Sequence, residues 1–402
     1  MTAGRPASVL HPTDEKDAGL IVSRTLAKHR SLGIVGGDTR AGLGRPSTHA
    51  ERISSAAMSG ITIYEPAELI IGAKAGTPVA EVTSALEREG QMLAFEPIDH
   101  RRIFGTLGEP TIGGLAATNA SGPRRIKTGA ARDAMLGVRF INGLGQQVKS
   151  GGRVMKNVTG LDLTKLMSGS HGTLGFLTEV TFKVAPKPDQ SVTLEVAGLD
   201  EAEAIEALSA TLASPFEPSG AAHLPAGLSG GRARTLVRVE GFRDSVKHRV
   251  NVLASLLGRW GASTIIEGTD SVTLWADIRD AGPITAPRDN AIWRVSSTPS
   301  QGPAIVTEIR DLIESARWFF DWGGGLIWLS VPALGDAGAR AIRGALVSRG
   351  GHATLLRAPD TIRGSVAPLQ PLSETAMRLT TGIKRSFDPQ GVFERGRMYE
   401  GV

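Results

Sequence analysis

The sequence predicts an α+β fold in two parts, and three observations carry that prediction. Up to about residue 186, short strand and helix patterns are interrupted by long Gly-rich stretches. A hairpin signal and one strongly alternating strand close this part. Beyond it, strands and returning helices take turns, as suits an antiparallel sheet covered on one face. Pro186-Lys187-Pro188 marks the junction, because proline cannot donate to a sheet ladder.

The elements follow in order. The first helix is expected to start at Pro12-Thr13, with Ala18, Ile21, Val22 and Leu26 at helical spacing and Gly33 able to close it. Ile34-Val35 then enter a Gly-rich loop. Residues 61–64 and 69–73 read as strands. Thr77 suits an N-cap with Pro78 at the first helical position, and Gly90 follows the last turn. After a Gly-rich stretch over 105–129, residues 135–141, the turn Asn142-Gly143-Leu144-Gly145 and residues 147–149 read as a hairpin. Phe176, Thr178, Val180, Phe182 and Val184 fall on one face of a strand. In the second part, strands are expected near 192–196, 236–240, 292–296 and 326–331. Helices are expected near 200–212, 245–257, 303–317 and 336–349, with a last one over 373–387. Trp275, Trp293, Trp318, Phe319, Trp322 and Trp328 suit this part's own core better than an interface.

Composition narrows the function. The chain carries 45 basic and 40 acidic side chains, a formal charge of +5 that is dispersed without a Lys/Arg block. That balance suits an anionic ligand or a mildly acidic partner and argues against nucleic acid. The chain has no cysteine, so it makes no disulfide, no thiolate zinc site and no iron–sulfur ligation of its own. The first twenty residues lack the apolar run of a signal peptide, and no apolar run of about eighteen residues occurs, so a cytoplasmic location is expected, with no transmembrane segment.

Three glycine-rich loops could hold a large anionic ligand. In Gly36-Gly37-Asp38-Thr39-Arg40-Ala41-Gly42-Leu43-Gly44, backbone N–H groups can converge on phosphate oxygens, with Thr39 adding a hydroxyl and Arg40 or Arg45 a charge. The loop lacks both the dinucleotide fingerprint and the G-K-[ST] of a P-loop, and taken alone it could be a tight surface turn. From Gly113 to Gly122 nearly every residue is small, so the chain can lie flat against a planar ligand or form a closely packed helix. Ser168-Gly169-Ser170-His171-Gly172-Thr173-Leu174-Gly175 directly precedes the alternating strand.

These motifs, in this order, resemble the FAD-binding module of the vanillyl-alcohol oxidase / p-cresol methylhydroxylase (PCMH-type) superfamily. They are Gly36-Gly37-Asp38-Thr39-Arg40, Thr111-Ile112-Gly113-Gly114, Ser121-Gly122-Pro123-Arg124-Arg125, Gly129 with Arg132-Asp133, and Gly169 through Gly175. The stretch Val154-Met155-Lys156-Asn157-Val158-Thr159-Gly160-Leu161-Asp162-Leu163 is similar to the FAD-binding subunits of bacterial glycolate oxidases. That similarity continues to Phe387-Asp388-Pro389-Gln390-Gly391 and Gly396-Arg397-Met398. The resemblance implies a two-subdomain FAD-binding domain over 1–186 (about 1–58 and 59–186) and a smaller cap-like α+β domain with an antiparallel sheet over 187–370. A segment over 371–402 would return to the FAD domain. Residues 36–40 would bind the pyrophosphate. Thr111, Gly113, Gly114, Ala117, Ser121 and Gly122 would line the flavin and its phosphates, and Arg124, Asp133, Gly172, Thr173 and Gly175 would complete the clamp. Arg397 would fold back near the cofactor, although Glu394-Arg395 stands where the family more often has Asn-Pro.

The resemblance also implies a non-covalent FAD, because Asp38 occupies the position of the tethering histidine in covalent members. The H-x-G-D-G-N-x-H motif of related D-2-hydroxyacid-oxidising subunits is not found, and His223, His248 and His352 are isolated. Arg279 and Arg294 are candidates to hold a substrate carboxylate, against the plainer alternative of surface or ion-pairing roles. His171 is the one histidine to nominate as catalytic, although hydrogen bonding within its loop accounts for it better. No catalytic residue or metal site is therefore assigned. The expected function is an FAD-binding subunit of a 2-hydroxyacid-oxidising glycolate oxidase complex, with a catalytic flavoprotein and an iron–sulfur subunit as partners that could bring it to a membrane. The alternatives are a free-standing flavin oxidoreductase and a scaffold with a structural flavin.

Overall fold

A computed structural model describes residues 8–47, 49–152 and 161–402. Most of the motif at 154–163 lies outside the described residues. The first half holds two main sheets. A parallel sheet orders its strands Ser8–Leu10, Glu51–Ser54, Leu32–Val35. An antiparallel sheet runs Ile61–Glu65, Ile70–Lys74, Phe176–Lys183, Met135–Ile141, Gln147–Gly151. The expected hairpin and the alternating strand thus lie side by side, with Phe140 opposite Leu177 and Val138 opposite Val180. Among the described residues, no helix is long and apolar enough to cross a membrane.

Several local expectations are corrected. The first helix is Glu15–Ala27, and its cap is Asp14, whose carboxylate accepts from Asp17 N at 2.7 Å. Gly33 does not end that helix. It lies within Leu32–Val35, where a Cβ would fall 2.9 Å from the His49 ring. Thr77 is no N-cap: its hydroxyl donates to Lys74 O at 2.7 Å and accepts from Gly60 N at 3.0 Å, and the helix starts at Val79. Ala185–Pro186 forms a short antiparallel pair with Gln91–Met92.

The second half forms one eight-stranded antiparallel sheet. Its order is Ser263–Glu267, Gln190–Ala197, Arg234–Gly241, Gly220–Leu224, Arg317–Asp321, Leu326–Pro332, Asn290–Ser296, His352–Arg357. Four of these strands, Ser263–Glu267, Gly220–Leu224, Arg317–Asp321 and His352–Arg357, were not expected. Gly220–Leu224 lacks β-branched residues, and Arg317–Asp321 begins at the last residue of a helix expected over 303–317, which stops instead at Leu312. The helix Gly268–Arg279 was also not expected.

The sheet is buried on both faces, not one. Helices Glu201–Leu212, Arg243–Leu257, Gly302–Leu312 and Ala339–Val347 cover the back, where Val237, Val239, Trp293, Val295 and Phe320 pack. The alternate residues Leu236, Ile292, Phe319, Leu326 and Trp328 point forward and join the core of the first half with Phe95, Val82 and Phe182. Strand parity therefore sends Arg238, Glu240, Arg294 and Asp321 toward the first half as well. Trp293 and Trp318 pack in the sheet's own helix-covered core, as expected, whereas Trp275, Phe319 and Trp328 join the core shared with the first half.

Candidate functional site

The three glycine-rich loops meet at the end of the parallel sheet and line one cavity of about 660 Å³. Their glycines are needed because backbone rests on backbone. A Cβ at Gly37 would stand 1.6 Å from Glu109 O, and one at Gly113 would stand 2.7 Å from the Ala75 Cβ. Thr111 caps the small-residue helix Ile112–Thr118, accepting from Gly114 N at 3.3 Å. The third loop is tied to that helix by Gly169 N and Ser168 Oγ, both donating to Ala116 O, and by His171 N donating to Ala117 O.

The first loop supplies what a diphosphate needs. Among the described residues, none of the backbone amides of Gly36, Gly37, Asp38, Thr39 and Arg40 donates a hydrogen bond to another group of the chain. Asp38 holds a left-handed φ of 57°, a conformation Asp tolerates and one that occurs in anion-binding backbone nests. The cavity is lined by Arg40, Arg45, Arg52, Arg363 and Arg397 against Asp38, Asp360 and Glu394. Each of these carboxylates is taken by an arginine: Asp38 by Arg52 at 2.8 Å, Asp360 by Arg363 at 2.5 Å and Glu394 by Arg397 at 2.8 Å. Arg40 has no carboxylate at ion-pair distance among the described residues, and its Nε meets His100 Nδ1 at 3.2 Å. Burial pushes its pKa down only to about 10, so it stays charged at neutral pH. Free amides and a surplus of cations fit an anionic dinucleotide.

The C-terminal segment completes this wall. Leu32 N donates to Val392 O, and Glu394 N donates to Leu32 O. The buried Glu394 carboxylate accepts from Ile34 N at 2.6 Å and lies 3.6 Å from His49 Nε2. These partners and Arg397 hold its pKa down against burial. Glu394 thus ties the chain end to the first loop, and Arg397 donates to Leu43 O and Arg40 O.

Most residues named from the sequence come together here. Gly36, Gly37, Asp38, Thr39, Arg40, Thr111, Gly113, Gly114, Ala117, Gly172, Gly175 and Arg397 line the cavity, as does His171. The others do not line it. Ser121 Oγ accepts from Ala131 N, Asp133 accepts from Ala130 N, and Thr173 donates to Ser170 O. Gly122 O accepts from Trp322 Nε1, and Arg124 is held by Glu240 at 2.9 Å on both guanidinium contacts. Burial and the charge of Arg397 push His171 down to about 4, so it is neutral. Arg279 is ion-paired to Asp280 at 2.7 Å. The sequence did not reveal Arg363, which donates to Gly42 O and Gly44 O from a position more than three hundred residues away. Only the tertiary fold brings it there.

The site and fold define an FAD-binding flavoprotein. Residues 6–151 match the family model described as FAD binding domain. The solved structure of 4-ethylphenol oxidase from Gulosibacter chungangensis shares the fold, with a TM-score of 0.74 over 98% of this chain and 89% of that one at 12% identity. The glycolate oxidase subunit GlcE of Escherichia coli (strain K12) is 35% identical over 380 residues, spanning 94% of this chain and 95% of that protein. The chain therefore belongs to the family of glycolate oxidase subunit GlcE, and its cofactor is FAD. A D-lactate dehydrogenase of Anaerostipes hadrus is 33% identical over 162 residues, covering 40% of this chain and 31% of that protein.

Proposed function

We propose that this chain is the FAD-binding subunit of a complex that oxidises 2-hydroxyacids, glycolate foremost, and passes the electrons on through flavin. The near end-to-end similarity to a glycolate oxidase subunit carries this reading. In it, the amides of residues 36–40 hold the pyrophosphate, with Arg40 adding charge. Thr111, Gly113, Gly114 and Ala117 line the cofactor, and Gly172, Gly175 and Arg397 close the site. Ser121, Gly122, Arg124, Asp133 and Thr173 support these loops from behind. Bound flavin supplies two-electron acceptance and onward transfer. The chain divides near residue 187 into an FAD-binding domain and a cap, with the segment from 371 onward returning to the first. Its partners are a catalytic flavoprotein and an iron–sulfur subunit, the relay that a chain without cysteine cannot provide. Its location is cytoplasmic, with membrane contact made through those partners.

The flavin is non-covalent in this reading, because Asp38 offers no tethering nitrogen and is engaged by Arg52. Acid precipitation is expected to leave the yellow colour in the supernatant, and colour retained in the pellet contradicts the assignment. Activity is tested with an artificial electron acceptor, first on the flavin-loaded chain and then with its partner subunits. Slow glycolate turnover alone and rapid turnover in the complex are expected. Robust turnover by the lone chain would promote a free-standing oxidoreductase instead.

A further inference from the structure

A second group of charges lies where the front of the eight-stranded sheet meets the FAD half. Arg294 projects from Asn290–Ser296 on the same face as Ile292. Its guanidinium carbon stands 5.0 Å from the centroid of the Trp322 ring, and that of Arg125 stands 4.7 Å from the same ring. Trp322 is held firmly. Its indole N–H donates to Gly122 O at 3.2 Å, and its backbone N–H donates to the Asp321 carboxylate at 2.7 Å. Its φ of 54° is a left-handed conformation that a bulky residue adopts only under strong constraint.

Among the described residues, no group accepts a hydrogen bond from the Arg125 or Arg294 side chain, and no carboxylate comes within ion-pair distance of either. The other inward arginines differ. Arg238 and Arg124 are held by Glu96 and Glu240, Arg363 by Asp360 and two carbonyls, and Arg357 by four carbonyls. Both side chains are half-buried and their guanidinium nitrogens still reach solvent, so two like charges stacked on one ring are open to an external anion.

We infer that Arg294 and Arg125, fixed against Trp322, form a clamp for a small organic carboxylate at the junction of the sheet and the FAD half. This rests on the reading of the neighbouring cavity as the flavin site, and it makes this chain itself the receptor of a hydroxyacid or its oxidation product. The guanidinium fork matches a carboxylate in two parallel hydrogen bonds, and the indole gives the short carbon skeleton an apolar wall. The surrounding charges agree. Burial and Arg125 push Arg294 down to about 10, which leaves it charged. Burial pushes the adjacent Asp321 up to about 7, so it opposes an incoming anion less than an ordinary carboxylate would. The field of Arg294 also reaches His100 and His352, helping burial to push both down and keep them neutral.

Calorimetric titration of the flavin-loaded chain with oxalate and with glycolate under anaerobic conditions tests the clamp. Saturable binding is expected, weakened about tenfold to a hundredfold by Arg294→Met, the range that charge-assisted hydrogen bonds supply. Arg294→Lys should fall between, Arg125→Met should lose less, and Arg279→Met, whose arginine is ion-paired elsewhere, should bind as the wild type does. Flavin content, measured on each protein from absorbance, is expected to be unchanged in Arg294→Met. A chain that takes up no flavin fails the FAD reading, while tryptophan fluorescence of the cofactor-free chain still decides the clamp. Equal affinity in wild type and both Arg294 variants overturns the clamp. Absence of saturable carboxylate binding, or inorganic phosphate binding as tightly as glycolate, overturns it too.

Discussion

Arg124 and Arg125 are adjacent in sequence and belong to two charged clusters of opposite kind. Arg124 joins Arg238, Glu96 and Glu240 in a network whose charges are all answered: Arg238 meets Glu96 at 2.8 Å, and Arg124 meets Glu240 at 2.9 Å. These groups hold the Glu240 carboxyl down to about 2 although it is buried, and hold Glu96 down as well. Arg125 turns the other way, onto Trp322 beside Arg294, where no carboxylate among the described residues comes within ion-pair distance of either. Both clusters bridge the first half and the sheet. The closed one consumes its own polarity and serves the fold, whereas the open one keeps its polarity available. The first loop belongs with the open kind, since its amides at 36–40 are unspent. Buried polar groups that satisfy one another point to architecture, and those that do not point to a ligand.

The largest effect expected from this contrast is in the closed cluster. Arg238→Met leaves Glu96 and Glu240 buried together without the guanidinium that separates them, and removing one partner of such a network costs about 3–5 kcal/mol. Thermal unfolding of the flavin-loaded protein should show a large loss of midpoint for Arg238→Met and a small one for Arg125→Met. Similar midpoints for the two variants would abolish the distinction between the clusters.

The next effect falls on the first loop. Gly37→Val is expected to remove most of the bound flavin, through a clash within the chain itself. The new Cβ collides with Glu109 O before it reaches any phosphate. Gly37→Ala should therefore also fail, and overpacking of this kind costs about 1–3 kcal/mol even without cofactor. Flavin absorbance together with the unfolding midpoint of the cofactor-free protein separates the two causes. Loss of flavin with an unaltered cofactor-free midpoint would return the glycine's role to phosphate access.

These differences show why the sequence was legible in one region and opaque in the other. The flavin loops announce themselves because close backbone contact admits little but glycine, so Gly37, Gly113 and Gly175 stand out in one dimension. The front of the sheet has no such signature. Leu236-Val237-Arg238-Val239-Glu240 alternates like a strand with one wet face, yet that polar face is buried against Glu96 and Arg124 from the first half. Arg294 and Arg279 were equal candidates from sequence, and only the fold separates them, by giving Arg279 the neighbouring Asp280. Short strands such as Gly220–Leu224 escaped because neighbours on both sides, not intrinsic propensity, make them strands.

The smallest effect is a pH dependence in which the open cluster opposes the core. His171 and His223 are pushed down to about 4 by burial, and His100 is pushed well below its ordinary 6.5 by burial and by Arg40. A histidine with a depressed folded pKa binds its proton more readily when unfolded. Its stabilising contribution is therefore present above about 6.5 and is lost as the pH falls toward 4. Asp321 acts in the other direction. Burial raises its carboxyl to about 7, so the folded state keeps a proton that the unfolded chain releases near 4. That contribution is complete in acid and fades as the pH rises through 7. Between about pH 6.5 and 4 the histidines lose stability and Asp321 returns some, each by an amount on the order of 1–3 kcal/mol. The wild-type midpoint should fall on acidification from neutral pH to pH 5. Asp321→Asn should steepen that fall, because the compensating proton is gone. His223→Gln, whose site is in the helix-covered back face beside Phe320, should flatten it. A slope left unaltered by Asp321→Asn would mean that Asp321 stays charged down to pH 5 and serves as counter-ion to the Arg294 cluster.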